Sequence, residues 1–305
     1  MIRQVCWFTT RQCNLSCSYC RVYKERRPTL NTEWALKVLD KVKEINPEIL
    51  IFFGGEPLVR QDFMVLLRRA NELDIPYAVI TNGTIDYGYS EFKNVTCSID
   101  ILPNNHFTSL KSIDLKSHKG YESLLRAKQQ GVPDVCGNMI IHKKSYKYIP
   151  ELIRHLSSLG IWSIVGYVHS GKSQIWRFRE NCPEMLLNQK ELEWISQELL
   201  ALKDDPSIML HNVREYFELL PKYGLNLDWH CGGSIEYLTI DEDGSIMTCP
   251  DVRGLKCQEH RIFDINLERL QKDWEMDIKG CNPGCAYNHM LQLANSKRED
   301  KKLVH

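Results

Sequence analysis

No apolar run in this sequence approaches the roughly 20 residues that span a bilayer, so no membrane-spanning helix is expected. Charge of one sign is missing as well. The 39 Lys and Arg residues balance 39 Asp and Glu, which excludes a broadly basic nucleic-acid footprint and leaves room only for a local patch. The opening stretch Met1–Phe8 is too short in its apolar part for a signal peptide and reads as a first strand. Long linkers, internal repeats and low-complexity tracts are also lacking. A cytoplasmic location is therefore expected, where thiols stay reduced. The 12 cysteines then point to metal rather than to disulfides.

What is present alternates between strand and helix. Apolar, β-rich runs occupy Val5–Thr10, Ile49–Phe53, Tyr77–Thr81, Val95–Ile101, Val135–Ile141 and Trp162–Val168. Helical spacing follows the caps Asn31 and Thr32, in Trp34, Ala35, Val38, Leu39, Val42 and Ile45. It returns at Phe63–Ala70, at Tyr121–Lys128 and at Ile149–Leu156. Such alternation predicts an α/β fold, a parallel sheet with helices outside. Six units fall short of a complete eight-stranded barrel. Gln189–Leu220 reads as helical, broken near Asp204-Asp205-Pro206. From Asp228 the character changes to cysteines, glycines and short strands. Ile235–Ile240 and Ser245–Thr248 flank a hairpin turn, Asp241-Glu242-Asp243-Gly244. The expected division is a partial barrel at 1–187, a helical connection at 188–227 and a cysteine-rich unit at 228–305.

Directly after the first strand stand Cys13, Cys17 and Cys20, a C-x3-C-x2-C loop with Tyr19 before its last cysteine. Iron–sulfur clusters are held by thiolates, ordinarily four. Three local ligands leave one iron open for a further ligand, as catalytic zinc sites keep a vacant position. On spacing alone, a zinc loop completed by a distant His or Cys is the alternative. The second strand is followed by Gly54-Gly55-Glu56-Pro57. In this order the two motifs resemble the radical S-adenosylmethionine (SAM) superfamily, over about residues 3–170 as a partial (β/α)6 TIM-like barrel.

The resemblance implies that Cys13, Cys17 and Cys20 ligate three irons of a [4Fe–4S] cluster while SAM chelates the fourth. It implies Tyr19 against the adenine, and Gly54, Gly55, Glu56 and Pro57 around the methionyl amino group. Glycines would let backbone approach the ligand closely, and a carboxylate suits an ammonium donor. Thr81 and Asn82 end the third strand, Ser98 and Asp100 the fourth, and Asn138 lies in the fifth. Polar groups at these places hold the SAM ribose and carboxylate in similar enzymes, although strand-end polarity alone also accounts for Ser98 and Asp100. The implied chemistry is reductive cleavage of SAM to a 5′-deoxyadenosyl radical, fed by a flavodoxin- or ferredoxin-type donor, and hydrogen abstraction from substrate.

Cys231 and Cys249 flank the hairpin as C-x12-G-x4-C, and Cys281 and Cys285 form a second pair around Pro283-Gly284. Four thiolates satisfy either a closed cluster or a structural zinc site. The hairpin pattern resembles a SPASM or twitch extension. Without the C-x2-C-x5 stretch it resembles the shorter twitch form, which implies one auxiliary [4Fe–4S] cluster. Cys257 is either a replacement ligand or outside the site. Cys6, Cys97 and Cys136 read as core, Cys182 as a redox candidate, and His169 as a substrate-facing residue. His142 and His230 read as polar loop residues, and Asp251 and Arg253 as a surface ion pair or cavity lining. No catalytic residue is assigned.

Two substrate classes remain open within the resemblance: a residue of a peptide or protein, and a small metabolite. The absence of a leader-recognition module at the N-terminus weighs mildly against ribosomal-peptide maturation. The absence of a C-terminal Gly-Gly weighs against molybdopterin chemistry. A non-catalytic Fe–S electron carrier or a zinc-stabilised binding module is the rival from another class, and Gly-Gly-Glu-Pro has no role in either.

Overall fold

The computed structural model describes residues 2–24, 26–100, 114–168, 182–223, 236–249 and 256–279. Eight strands form one sheet in the order β6-β5-β4-β3-β2-β1-β7-β8. β1 (Gln4–Thr10), β2 (Ile49–Gly54), β3 (Tyr77–Thr81), β4 (Asn94–Ser98), β5 (Asp134–Ile141) and β6 (Trp162–Tyr167) run parallel, each beside its predecessor. All seven residues of β1 are buried, as expected for a strand paired on both edges and covered on both faces.

Four helices connect these strands. α1 (Thr32–Ile45) starts where the Asn31 side chain accepts from Trp34 N at 3.0 Å, satisfying one of the unpaired N–H groups of the first turn. It buries Ala35, Val38, Leu39 and Val42. α2 (Phe63–Glu72), α3 (Lys119–Gln129) and α4 (Ile149–Ser158) bury apolar stripes of the same spacing. The link from β3 to β4 contains no helix. The α/β architecture with six parallel strands expected from the sequence is observed, within an eight-stranded sheet.

α5 (Gln189–Lys203) opens with a capping box between Asn188 and Glu191 and packs on α6 (Arg214–Tyr223). The segment between them closes the free edge of β6. Ser163 N donates to Met209 O at 2.8 Å, and the Asn212 amide pairs with both backbone groups of Val165. This protects the sheet from edge-to-edge association.

At the opposite edge, β7 (Tyr237–Ile240) pairs parallel with β1, and β8 (Ile246–Met247) returns antiparallel to β7. The cysteine-rich hairpin thus continues the barrel sheet. Its Leu238, Ile240 and Ile246 share one apolar core with β1 to β6. β8 is shorter than the expected Ser245–Thr248, and its other edge takes a different partner: Ser245 bridges Arg261, and Ile246 N donates to His260 O. The sequence reading missed α7 (Leu267–Lys279), whose Leu270 and Trp274 join the core and whose Trp274 Nε1 donates to Thr248 O at 2.8 Å. No helix among the described residues is long and apolar enough to cross a membrane.

Candidate functional site

One pocket opens at the C-terminal ends of β1 to β4, where parallel α/β sheets place their ligands. Cys13, Cys17, Tyr19 and Cys20 form one wall, and Gly54, Gly55, Thr81, Asn82, Ser98 and Asp100 form the rest of the predicted lining. Ten of the residues read from the sequence therefore meet in one place. Glu56, Pro57 and Asn138 are off that wall.

The cysteine loop is held from β3. The Asn82 amide donates to Asn14 Oδ1 at 2.9 Å and approaches Cys13 Sγ at 3.9 Å, and Leu15 N donates to Cys13 Sγ at 3.4 Å. All three thiols are partly buried. Burial raises the Cys13 thiol pKa above its ordinary value, helped by Glu56 and Cys20; burial raises Cys17 likewise, helped by Asp100 and Cys20. Three such thiols resist joint ionisation unless a cationic group offsets both desolvation and mutual repulsion. That donor set fits an iron–sulfur cluster.

Tyr19 is buried and its hydroxyl donates to Asp100 Oδ2, while Ile140 N donates to Asp100 Oδ1 at 2.9 Å. Burial pushes the Tyr19 phenol well up, and the neighbouring Asp100 adds to it. The aspartate ties the cysteine loop to β5 and leaves the tyrosine ring on the pocket wall.

Gly54 and Gly55 are required by this chain's own backbone. A Cβ on Gly54 would lie 2.1 Å from Thr10 O, and one on Gly55 2.3 Å from Gln12 O. Gly55 N donates to Thr10 O and Glu56 N to Gln12 O, at 2.9 and 2.8 Å. The end of β2 therefore closes directly on the stem of the cysteine loop, beside a register shift between Phe8 and Thr10. Both glycines lie close against the Thr10–Gln12 backbone and also line the pocket.

Glu56 has no exposed surface. Its Oε1 accepts from Leu58 N at 3.0 Å and Thr81 Oγ1 at 2.8 Å, and its Oε2 from Asn82 N at 2.6 Å. Burial raises its pKa despite these bonds. The carboxylate braces the ends of β2 and β3 against each other. Pro57 starts a 3-10 turn beneath it, and Asn138 stands half-buried opposite Ser98 in the β4–β5 register.

His118 lines the pocket and was not anticipated. It is the N-cap of α3, and Tyr121 N donates to its Nδ1 at 3.4 Å. Burial lowers its pKa, with Asp100 acting in the other direction. A polar residue capping the helix after the fourth strand is the signal that would have found it. Cys182 is buried beneath the loop, its Sγ donating to Ser18 O at 3.4 Å, and packs against Tyr19, Cys17 and Cys20. Cys6, Cys97 and Cys136 are buried in strands, with thiol pKa values raised by desolvation, to about 12 for Cys6.

Of the second cysteine group, Cys249 is described, half-buried just beyond β8. Cys231, Cys281 and Cys285 lie outside the described residues, as do His169, His230, Asp251 and Arg253. Cys257 is fully buried, and its N donates to Asp277 Oδ2 at 2.8 Å.

A curated relative, an AdoMet-dependent heme synthase of Oleidesulfovibrio alaskensis, is 29% identical over 186 residues, covering 56% of this chain and 47% of that protein. The chain spans about half the length of the curated relatives it matches. Among solved structures, Streptococcus suis SuiB bound to its precursor peptide SuiA is similar at a TM-score of 0.65 and 15% identity, over 88% of this chain and 64% of that one. The enzyme anSMEcpe with bound AdoMet and the Cp18Cys peptide is similar at 0.64 and 18% identity, over 91% and 82%. These structural likenesses are of fold. The family model of the radical SAM superfamily matches residues 7–156, from within β1 to within α4. Residues 7–156, just under half of this chain, thus form a segment that matches the radical SAM superfamily.

Proposed function

We propose that Cys13, Cys17 and Cys20 hold the [4Fe–4S] cluster, and that the pocket they share with the ends of β2 to β4 binds SAM. The observation that carries this reading is the convergence of the three thiols with Gly54, Gly55, Thr81, Asn82, Ser98 and Asp100 around a single pocket. When bound, the cluster and SAM supply a reductive carbon–sulfur cleavage and a carbon radical able to take an unactivated hydrogen.

The chain's own groups do the holding. Tyr19, fixed by Asp100, presents its ring to the adenine. The wall from Thr81 to Ser98 offers hydroxyl and amide groups to ribose and carboxylate. Glu56 acts one step back, keeping the β2 and β3 ends aligned through its three hydrogen bonds. His118 stands at the pocket wall with its Nδ1 already accepting from Tyr121 N, and burial lowers its pKa.

The substrate proposed is a residue of a peptide or protein, supported by the peptide complexes of the two similar folds. A small metabolite is the second reading, favoured by the heme synthase relative. One auxiliary [4Fe–4S] cluster on Cys231, Cys249, Cys281 and Cys285, a flavodoxin- or ferredoxin-type donor, and division at residues 187 and 227 complete the proposal. Incubation of the anaerobically reconstituted protein with SAM, dithionite and either peptide or tetrapyrrole substrates tests it. 5′-Deoxyadenosine stimulated by a peptide supports the first substrate reading, and stimulation by the tetrapyrrole alone supports the second.

A further inference from the structure

The hairpin turn Asp241-Glu242-Asp243-Gly244 does more than reverse the chain. A turn of this kind needs Gly244, which takes a φ of +81°, and little else. Yet Asp241 and Glu242 are both fully buried, a costly place for carboxylates unless they are well bonded. Their bonds go to the cysteine loop. Glu242 Oε2 accepts from Arg11 N at 2.8 Å and from Thr29 Oγ1 at 2.9 Å, and Oε1 accepts from Arg27 N. The backbone carbonyl of Glu242 accepts from Leu30 N at 2.9 Å. Asp241 pairs with the buried Arg11 guanidinium at 2.8 Å, and Asp243 with that of Arg27 at 2.8 Å.

Arg11 precedes Cys13, and Arg27 and Thr29 follow Cys20. One carboxylate therefore bridges the incoming and outgoing stems of the loop. Two of its three donors are backbone N–H groups, so the bonds form only when both stems take this arrangement. From this geometry we infer that Glu242 is a positioning residue for the SAM-cluster loop, fixing the stems that set the spacing of Cys13, Cys17 and Cys20. The inference rests on the reading that those three cysteines hold the cluster. It makes the hairpin bearing Cys249 part of the first cluster's support.

The test uses the full chain, reconstituted anaerobically. Glu242→Ala removes all three side-chain bonds. Glu242→Gln keeps the shape and one acceptor oxygen. Thr29→Val removes a single donor from the loop side. Two quantities are read: the rate of iron loss to a chelator, and the change in the EPR signal of the reduced cluster when SAM is added, which reports an open iron. Circular dichroism and melting verify folding. Glu242→Ala is expected to lose its SAM-responsive iron at least about tenfold faster, equivalent to 1.4 kcal/mol, with a diminished SAM-induced change. Glu242→Gln should be intermediate and Thr29→Val milder.

A folded Glu242→Ala protein with wild-type iron retention and an unchanged SAM response overturns the inference. Should Glu242→Ala not fold, the other two variants decide, and wild-type behaviour in both overturns it equally. The Cys13→Ala/Cys17→Ala/Cys20→Ala protein is the control. If it keeps the SAM-responsive signal, the cluster assignment itself is wrong, an outcome distinct from failure of the clamp.

Discussion

Glu56 accepts three hydrogen bonds on a carboxylate with no exposed surface, two of them from backbone N–H groups on different segments. A glutamine there must turn its NH2 toward either Leu58 N or Asn82 N, leaving one buried donor unmet. Glu56→Gln is expected to destabilise the fold by about 1–3 kcal/mol, read by denaturant unfolding of the reconstituted protein. Unchanged stability would show that the brace between β2 and β3 is dispensable. Gly54→Ala is expected to cost about 1–3 kcal/mol as well, since its Cβ would meet Thr10 O at 2.1 Å and the backbone cannot give way cheaply. The site was legible at this scale as a set of positions. The protein contacts of Gly54, Gly55 and Glu56 were not readable, because what they touch is remote in sequence: Thr10 and Gln12 for the glycines, Thr81 and Asn82 for the glutamate. His118 could be read as a polar cap before α3 but not as a pocket residue, since its approach to Asp100 depends on where α3 docks.

Elements with a strong local signal were readable. β3 matches its predicted bounds, and α1 begins at the cap that Asn31 supplies. α7 was not readable, because charged residues crowd its exposed face and its core side is narrow: Leu270 and Trp274, with Ile278 packed beside them. The β7–β8 turn was recognised as a turn, but its acidic side chains carried no hint of their partners around the cysteine loop, 213 and more residues away. The Arg11–Asp241 pair links that turn to β1 with side chains 1% and 0% exposed. Arg11→Met leaves a buried carboxylate without its guanidinium and is expected to cost about 3–5 kcal/mol. Adding Asp241→Leu should recover much of that loss, because no charge then remains buried. A double-mutant cycle by chemical denaturation checks it, and additive losses would contradict the coupling.

At the scale of the whole molecule, one core runs from β1 through the hairpin to α7. The sequence announced the six parallel strands through their apolar runs. It could not announce that β7 would join β1, since parallel pairing across more than 200 residues leaves no local trace. If Cys231, Cys249, Cys281 and Cys285 hold a second cluster, the reconstituted chain should carry about eight irons, falling to about four in Cys281→Ala/Cys285→Ala. Saturation of the wild-type chain at about four irons with one zinc would assign the second site to zinc instead.

The central claim is that the Cys13–Cys20 loop holds the cluster that cleaves SAM. Its most direct test is 5′-deoxyadenosine formation by the dithionite-reduced wild type and by the Cys13→Ala/Cys17→Ala/Cys20→Ala protein, under identical anaerobic conditions with SAM. The account predicts product from the wild type and none above background from the triple variant, with its fold intact by circular dichroism. Wild-type rates of 5′-deoxyadenosine formation from the triple variant would place the active cluster elsewhere and contradict the account.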